Sequence, residues 1–170
     1  GSSLTSLGTI QAGTLGVNYG QITNSGTLTG TSQLTVSAGQ VSQQDSGRLL
    51  SGGDLLLTST GFDQAGQVIA LGNLTLQLVN AFTGRHTLAA GKTLSITSQG
   101  SLQNQGLMQG QSVNLNAGGV LTNSGQITTG NGGSTLSGAG IVTDGGSSLQ
   151  GGGDVTLASR GDIAINGFTG

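Results

Sequence analysis

The sequence predicts an all-β chain wound as a parallel β-helix, with about 20 residues per coil and about eight coils. Three observations predict it. An Asn-x-Gly turn flanked by aliphatic residues returns as ITNSGTL (22–28), LQNQGLM (102–108) and LTNSGQI (121–127). An aliphatic pair with one residue between its members keeps the same step, at Leu34/Val36, Leu55/Leu57, Leu74/Leu76, Leu94/Ile96, Val113/Leu115 and Val155/Leu157. The first members are 21, 19, 20 and 19 residues apart, followed by a gap of 42 that holds one degenerate copy around Leu136. Finally, no segment carries a sustained i, i+3, i+4, i+7 stripe, so helix is expected to be close to absent. Two independent markers sharing one period are the mark of a solenoid.

Each element follows from that period. Aliphatics at i and i+2 are the spacing of a strand with one buried face. Single aliphatics on either side of the Asn-x-Gly turn add one or two further short strands, separated by Gly-containing corners. Coils stacked at the inter-strand spacing of about 4.8 Å would make a rod roughly 40 Å long. Residues one period apart then form columns. Leu34, Leu55, Leu74, Leu94, Val113 and Val155 are expected in one interior column. A second reads Ile22, Val41, Phe62, Phe82, Leu102, Leu121 and Val142, with its two aromatics in contact. Two places later runs a polar ladder of Asn24, Gln43, Gln64, Asn104, Asn123 and Asp144, interrupted at Gly84. Amides in register hydrogen-bond along the axis. Losing one such bond, as in Asn104→Ala, is expected to cost about 1 kcal/mol. Asn suits a left-handed backbone at a tight corner, and Gly two residues later adopts one without steric cost. Asp54, Asn73 and Asp154 mark another corner.

Composition excludes several functions. Disorder needs high net charge or low hydrophobicity; here net charge is −2 and apolar residues, at 33%, recur at regular intervals. The absence of Pro fits a sheet in which nearly every N–H donates. Four basic residues cannot build the basic stripe that phosphate backbones require, so nucleic acid is not an expected partner. No apolar run approaches the roughly 18 residues of a membrane helix, so membrane insertion is not expected. There is no Cys, hence no thiolate metal site. The six acids fall mostly in corner slots rather than in the clusters that calcium-dependent polysaccharide lyases of β-helical shape need. No catalytic residue, cofactor or metal is therefore expected. Gly1-Ser2 opens the chain without a signal peptide, and neither end carries a capping segment. Residues 1–170 thus read as a single β-helical repeat domain, a fragment of a longer filament.

The repeated aliphatic-x-Asn-x-Gly-x-aliphatic turn followed by a Leu-x-Leu strand resembles the filamentous haemagglutinin repeats of two-partner-secretion exoproteins, which include haemagglutinin adhesins and contact-dependent growth inhibition proteins. The resemblance covers about residues 14–166 and is clearest at 94–130. It implies a right-handed β-helix and a secreted filament on the bacterial cell surface, exported through an outer-membrane secretion partner. The expected function is a structural stalk that presents an adhesive or toxin-bearing portion to target cells, stacked on neighbouring repeats of the same filament. No catalytic residues come with the repeat. The alternative is a binding module. Arg85, His86 and Lys92 bring potentially positive groups within eight residues, where the polar ladder lapses. On a loop outside the regular columns (82–92), they would contact a receptor or glycan through Arg and Lys hydrogen bonds.

Overall fold

The computed structural model describes residues 2–169, and these contain strands and turns throughout. Every pairing is parallel, and each strand bonds to the strand one coil later. Leu74–Leu78 pairs with Thr93–Ser98, which pairs with Ser112–Ala117. Such pairing makes three flat faces around one interior. Face 1 contains those strands, then Ser134–Gly138 and Val155–Ser159. Face 2 contains Phe82–Gly84, Leu102–Asn104, Val120–Asn123, Gly140–Thr143 and Ile163–Ile165. Face 3 contains Arg48–Ser51, Gln67–Ala70, Thr87–Ala90, Leu107–Gly110, Gln126–Thr129 and Ser148–Gly151. In the first coils the corners are extended enough for strands to run across faces, as in Thr9–Asn24 and Thr27–Gln43.

Alternation of side chains along each strand sends one set inward, and those residues are buried. Leu34, Leu55, Leu74, Leu94 and Val113 are stacked in register on face 1. Ser134 holds the next place below Val155. Its buried hydroxyl accepts from Val113 N–H at 2.8 Å, which accounts for the degenerate repeat without leaving a polar orphan. Leu136 keeps the second place of the pair, between Leu115 and Leu157. On face 2, Ile22, Val41 and Phe62 lie in register, as do Phe82, Leu102 and Leu121. The rings of Phe62 and Phe82 stack at 5.5 Å between centroids, tilted by 6°.

Two expectations need correction. The column above Leu121 continues with Ile141, not Val142, which pairs with Thr122 and faces outward. Counting 20 residues on from Leu121 reaches Ile141, but Val142 and Asp144, one place later, offer the same aliphatic-x-polar pair as Leu121 and Asn123 and so imitate the column. The corners also work differently from expectation: among the described residues no φ is positive, at Gly or elsewhere. Glycine is required there by proximity. A Cβ on Gly26 would overlap the carbonyl of Gly8, one on Gly66 that of Gly47, and one on Gly125 that of Gly106. Coils at this corner touch backbone to backbone.

Candidate functional site

Two features could carry function: the polar ladder and the cationic corners. The ladder sits inside the corner between faces 2 and 3. Asn24, Gln43, Gln64, Asn104 and Asn123 are all buried there. Each Asn donates through Nδ2 to a carbonyl of the next coil and accepts at Oδ1 from the Gly of its own turn, and Asn104 adds a bond to a neighbouring ladder amide. Asn104 Nδ2 donates to Gln126 O at 2.9 Å in the next coil and to Asn123 Oδ1 at 3.0 Å. Its Oδ1 accepts from Gly106 N at 3.2 Å, closing the turn. Gln43 and Gln64 reach the next coil through Nε2, to Gln67 O at 2.7 Å and Thr87 O at 3.0 Å. The longer side chain also turns that Nε2 toward Gly47 O and Gly66 O, so both Oε1 atoms are buried without a donor.

Asp144 is not part of this ladder. Thr143 occupies the slot above Asn123, and Asp144 is exposed, accepting from Ser124 Oγ outside the coil. A carboxylate in the buried slot would face desolvation with no cation to offset it. The Thr143 hydroxyl instead accepts from Asn166 N of the next coil at 3.2 Å, whereas each Asn Oδ1 accepts from the Gly of its own turn.

Since Asn104 makes three hydrogen bonds rather than one, Asn104→Ala is expected to cost about 2–3 kcal/mol, because Gln126 O, Asn123 Oδ1 and Gly106 N each lose a hydrogen bond. Chemical denaturation would measure it; a cost below about 1 kcal/mol would mean that the ladder amides are not shared between coils.

The cations are distributed differently from the single loop expected. Residues 82–92 are mostly strand: Phe82–Gly84 and Thr87–Ala90 both pair with the coil above. Arg85 and His86 occupy the corner before face 3 and Lys92 the corner after it, all exposed, with the strand Thr87–Ala90 between them. The irregularity lies on the lower side. Phe82–Gly84 has three paired positions with the coil above but one, Gln64↔Gly84, with the coil below. Here the centroids of the stacked Phe62 and Phe82 rings lie 5.5 Å apart, more than the strand spacing of about 4.8 Å. In the next coil Gln105 and Gly106 both donate to Gly84 O, whereas neither Arg85 N nor His86 N bonds to backbone. Thr87 N–H bonds to His86 Nδ1 at 2.9 Å. Sequence reasoning locates the departure at Gly84 and places Phe62 and Phe82 in contact, but does not join the two. Among the described residues, no group of three metal-binding side chains occurs.

A family model described as "Haemagglutinin repeat" matches residues 10–63, 58–106 and 112–167. The chain belongs to this family. The haemagglutinin-repeat segment is 52% identical over 124 residues to "tRNA nuclease CdiA" of Escherichia coli (strain STEC_O31), covering 73% of this chain. It is 40% identical over 167 residues to "Deoxyribonuclease CdiA" of Dickeya dadantii (strain 3937), covering 98% of this chain. The segment spans 4% and 5% of the length of those two relatives, and their names describe the whole proteins. No solved structure is significantly similar to it. Family and relatives together identify a repeat region of a two-partner-secretion exoprotein, a stalk segment of a protein secreted to the bacterial surface.

Proposed function

We propose that this segment is a non-enzymatic spacer within a longer filament, holding an adhesive or toxin-bearing portion at a distance from the producing cell. The continuous interior carries this reading. The apolar columns run through the described coils, ladder amides brace them on either side of Gly84, and the hydrogen bonds point along the rod axis, so stability is spent on length and stiffness. The outer-membrane secretion partner belongs to the same proposal, as the exporter of the full-length protein. Deleting one whole coil from that protein, from Leu94 to the residue before Val113, tests it. The spacer reading expects export and target-cell activity within about twofold of the parent, since neighbouring coils can close over the gap in register. Loss of activity in a deletion that is exported and folded would assign a specific contact to the coil.

A second reading follows from the loosened corner. The exposed Arg85 and His86, with backbone N–H groups that bond to no other backbone, could hydrogen-bond a target-cell receptor or glycan, with Lys92 a second contact across face 3. Replacing Arg85, His86 and Lys92 together by Ala is expected to lower adherence to target cells or glycan arrays if this holds. Unchanged adherence, in a variant that melts like the parent, would leave the segment as a spacer.

A further inference from the structure

Two outward surfaces of the rod carry opposite charges around an apolar centre. The first lies on face 3. Leu50 and Ile69 stack outward in register with Ala89 above them, and Leu71, at the adjoining corner, is 66% exposed. Leu50, Ile69 and Leu71 line a shallow apolar depression there. Arg48 and Arg85 stand toward the face 2 edge of this strip and Lys92 at the face 1 edge, all exposed. Of the three acids in the same coils, Asp63 points outward on face 2, where it accepts from Gln40 Nε2 at 3.4 Å, and Asp54 is turned into its own corner, where Oδ1 accepts from Asn73 N at 2.9 Å. Asp45 sits at the tip of the Gln44–Gly47 turn.

The second surface lies on face 2, higher on the rod. Val142 and Ala164 stack outward in register, and Val120, at the edge of the face, is 44% exposed. Asp162 stands at one edge and Asp144 at the other, both exposed. Arg160, two residues before Asp162, is directed along the axis and donates to Gly118 O at 2.8 Å. Both strips therefore have aliphatic centres and charged edges, basic on one and acidic on the other.

We propose that these strips are the two halves of a lateral interface between copies of this chain. The aliphatic centres would be dehydrated against each other, while the edge cations meet Asp144 and Asp162 of the neighbouring rod. Opposite charges at both edges fix the alignment and exclude pairing of like strips. The strips lie about four coils apart, so side-by-side parallel copies would be offset by about 20 Å along the axis. Because the two patches differ, the contact is heterologous: each added copy leaves one strip of each kind free, and association is open-ended.

Sedimentation of residues 1–170 over a range of protein concentrations tests this. The average mass is expected to rise with concentration at low ionic strength and return toward the monomer at about 0.5 M salt, where exposed charges are screened. Asp144→Lys with Asp162→Lys should weaken association at least about tenfold, as should Arg48→Asp with Arg85→Asp and Lys92→Asp. Mixing the two reversed proteins should restore it, since each then offers the other a complementary pair of strips. A mass independent of concentration in the parent would overturn the proposal. So would association unaltered by either reversal, which is the behaviour of end-to-end stacking at sheet edges. Failure of the mixture to associate would also overturn it.

Discussion

Leu102→Asp is expected to destabilise the rod by about 5 kcal/mol, the largest effect of any single substitution considered. Leu102 has no exposed surface and lies between Phe82 below and Leu121 above. Removing its side chain forfeits about 1.5–3 kcal/mol of apolar burial. The new carboxyl would have aromatic and aliphatic carbon on both axial sides and no cation in the interior. Desolvation raises the folded-state pKa of such a group above its unfolded value of about 3.9. Between those two values the folded state holds the extra proton, so stability falls as pH rises. The deficit relative to the parent should accordingly be smaller below about pH 4 than at pH 7. Urea melts at the two pH values would measure both. A deficit under about 2 kcal/mol at pH 7 would place Leu102 at a solvated position and contradict the column.

Gly125→Val is expected to cost about 3 kcal/mol or more, at the upper end of overpacking. A Cβ there would overlap Gly106 O and press on Gln105 and Gly106, all of it backbone that cannot rotate aside. Opening that contact would also stretch the hydrogen bonds Gln126 N→Gly106 O (2.9 Å) and Gly125 N→Asn123 Oδ1 (3.2 Å). Gly145 provides the control. A Cβ added to it would meet nothing within 4 Å, and its φ is not positive, so Gly145→Ala should be neutral or stabilise by up to about 1 kcal/mol. Gly125→Asn separates the two accounts of the corner. Asn tolerates a left-handed backbone, so a φ requirement would spare this variant, whereas a space requirement condemns it along with Val. Denaturation midpoints of the parent and these three variants decide between them.

The architecture is legible in the sequence wherever a residue type is demanded by its neighbour one coil away. Leu74 and Leu94, or Asn104 and Asn123, repeat because they touch. Their common period requires no knowledge of the fold. Corners are harder to read. Val142 with Asp144 and Ile141 with Thr143 look alike in sequence, because both pairs offer an aliphatic and a polar residue two places apart. Only the ladder register separates them. Glycine at a turn likewise has two physical explanations, φ and space, with one signature in sequence. The cationic residues stand out through their rarity, but closeness along the chain is not closeness in space. A four-residue strand carries Lys92 to the opposite edge of face 3 from Arg85. The pairing of acidic and basic strips lies beyond sequence reading altogether, since it joins residues 52 to 114 positions apart through which face each one occupies.

The turn at Gln44–Gly47 holds two more residues than its counterpart one coil earlier, yet the pairs on either side, Asn24↔Gln43 and Thr27↔Arg48, remain in register. The same happens at Asp144–Ser147, between Asn123↔Thr143 and Gln126↔Ser148. A single residue inserted within Leu74–Leu78 would instead turn every later side chain of that strand to the opposite side. This contrast sets rules for inheritance. Corner insertions can persist through generations as harmless variation, whereas strand insertions are purged. Duplication or loss of an entire coil passes between them, because it preserves every contact on both flanks. A lineage can therefore lengthen or shorten such a filament by unequal recombination between its own repeats, with no new packing solution to be found.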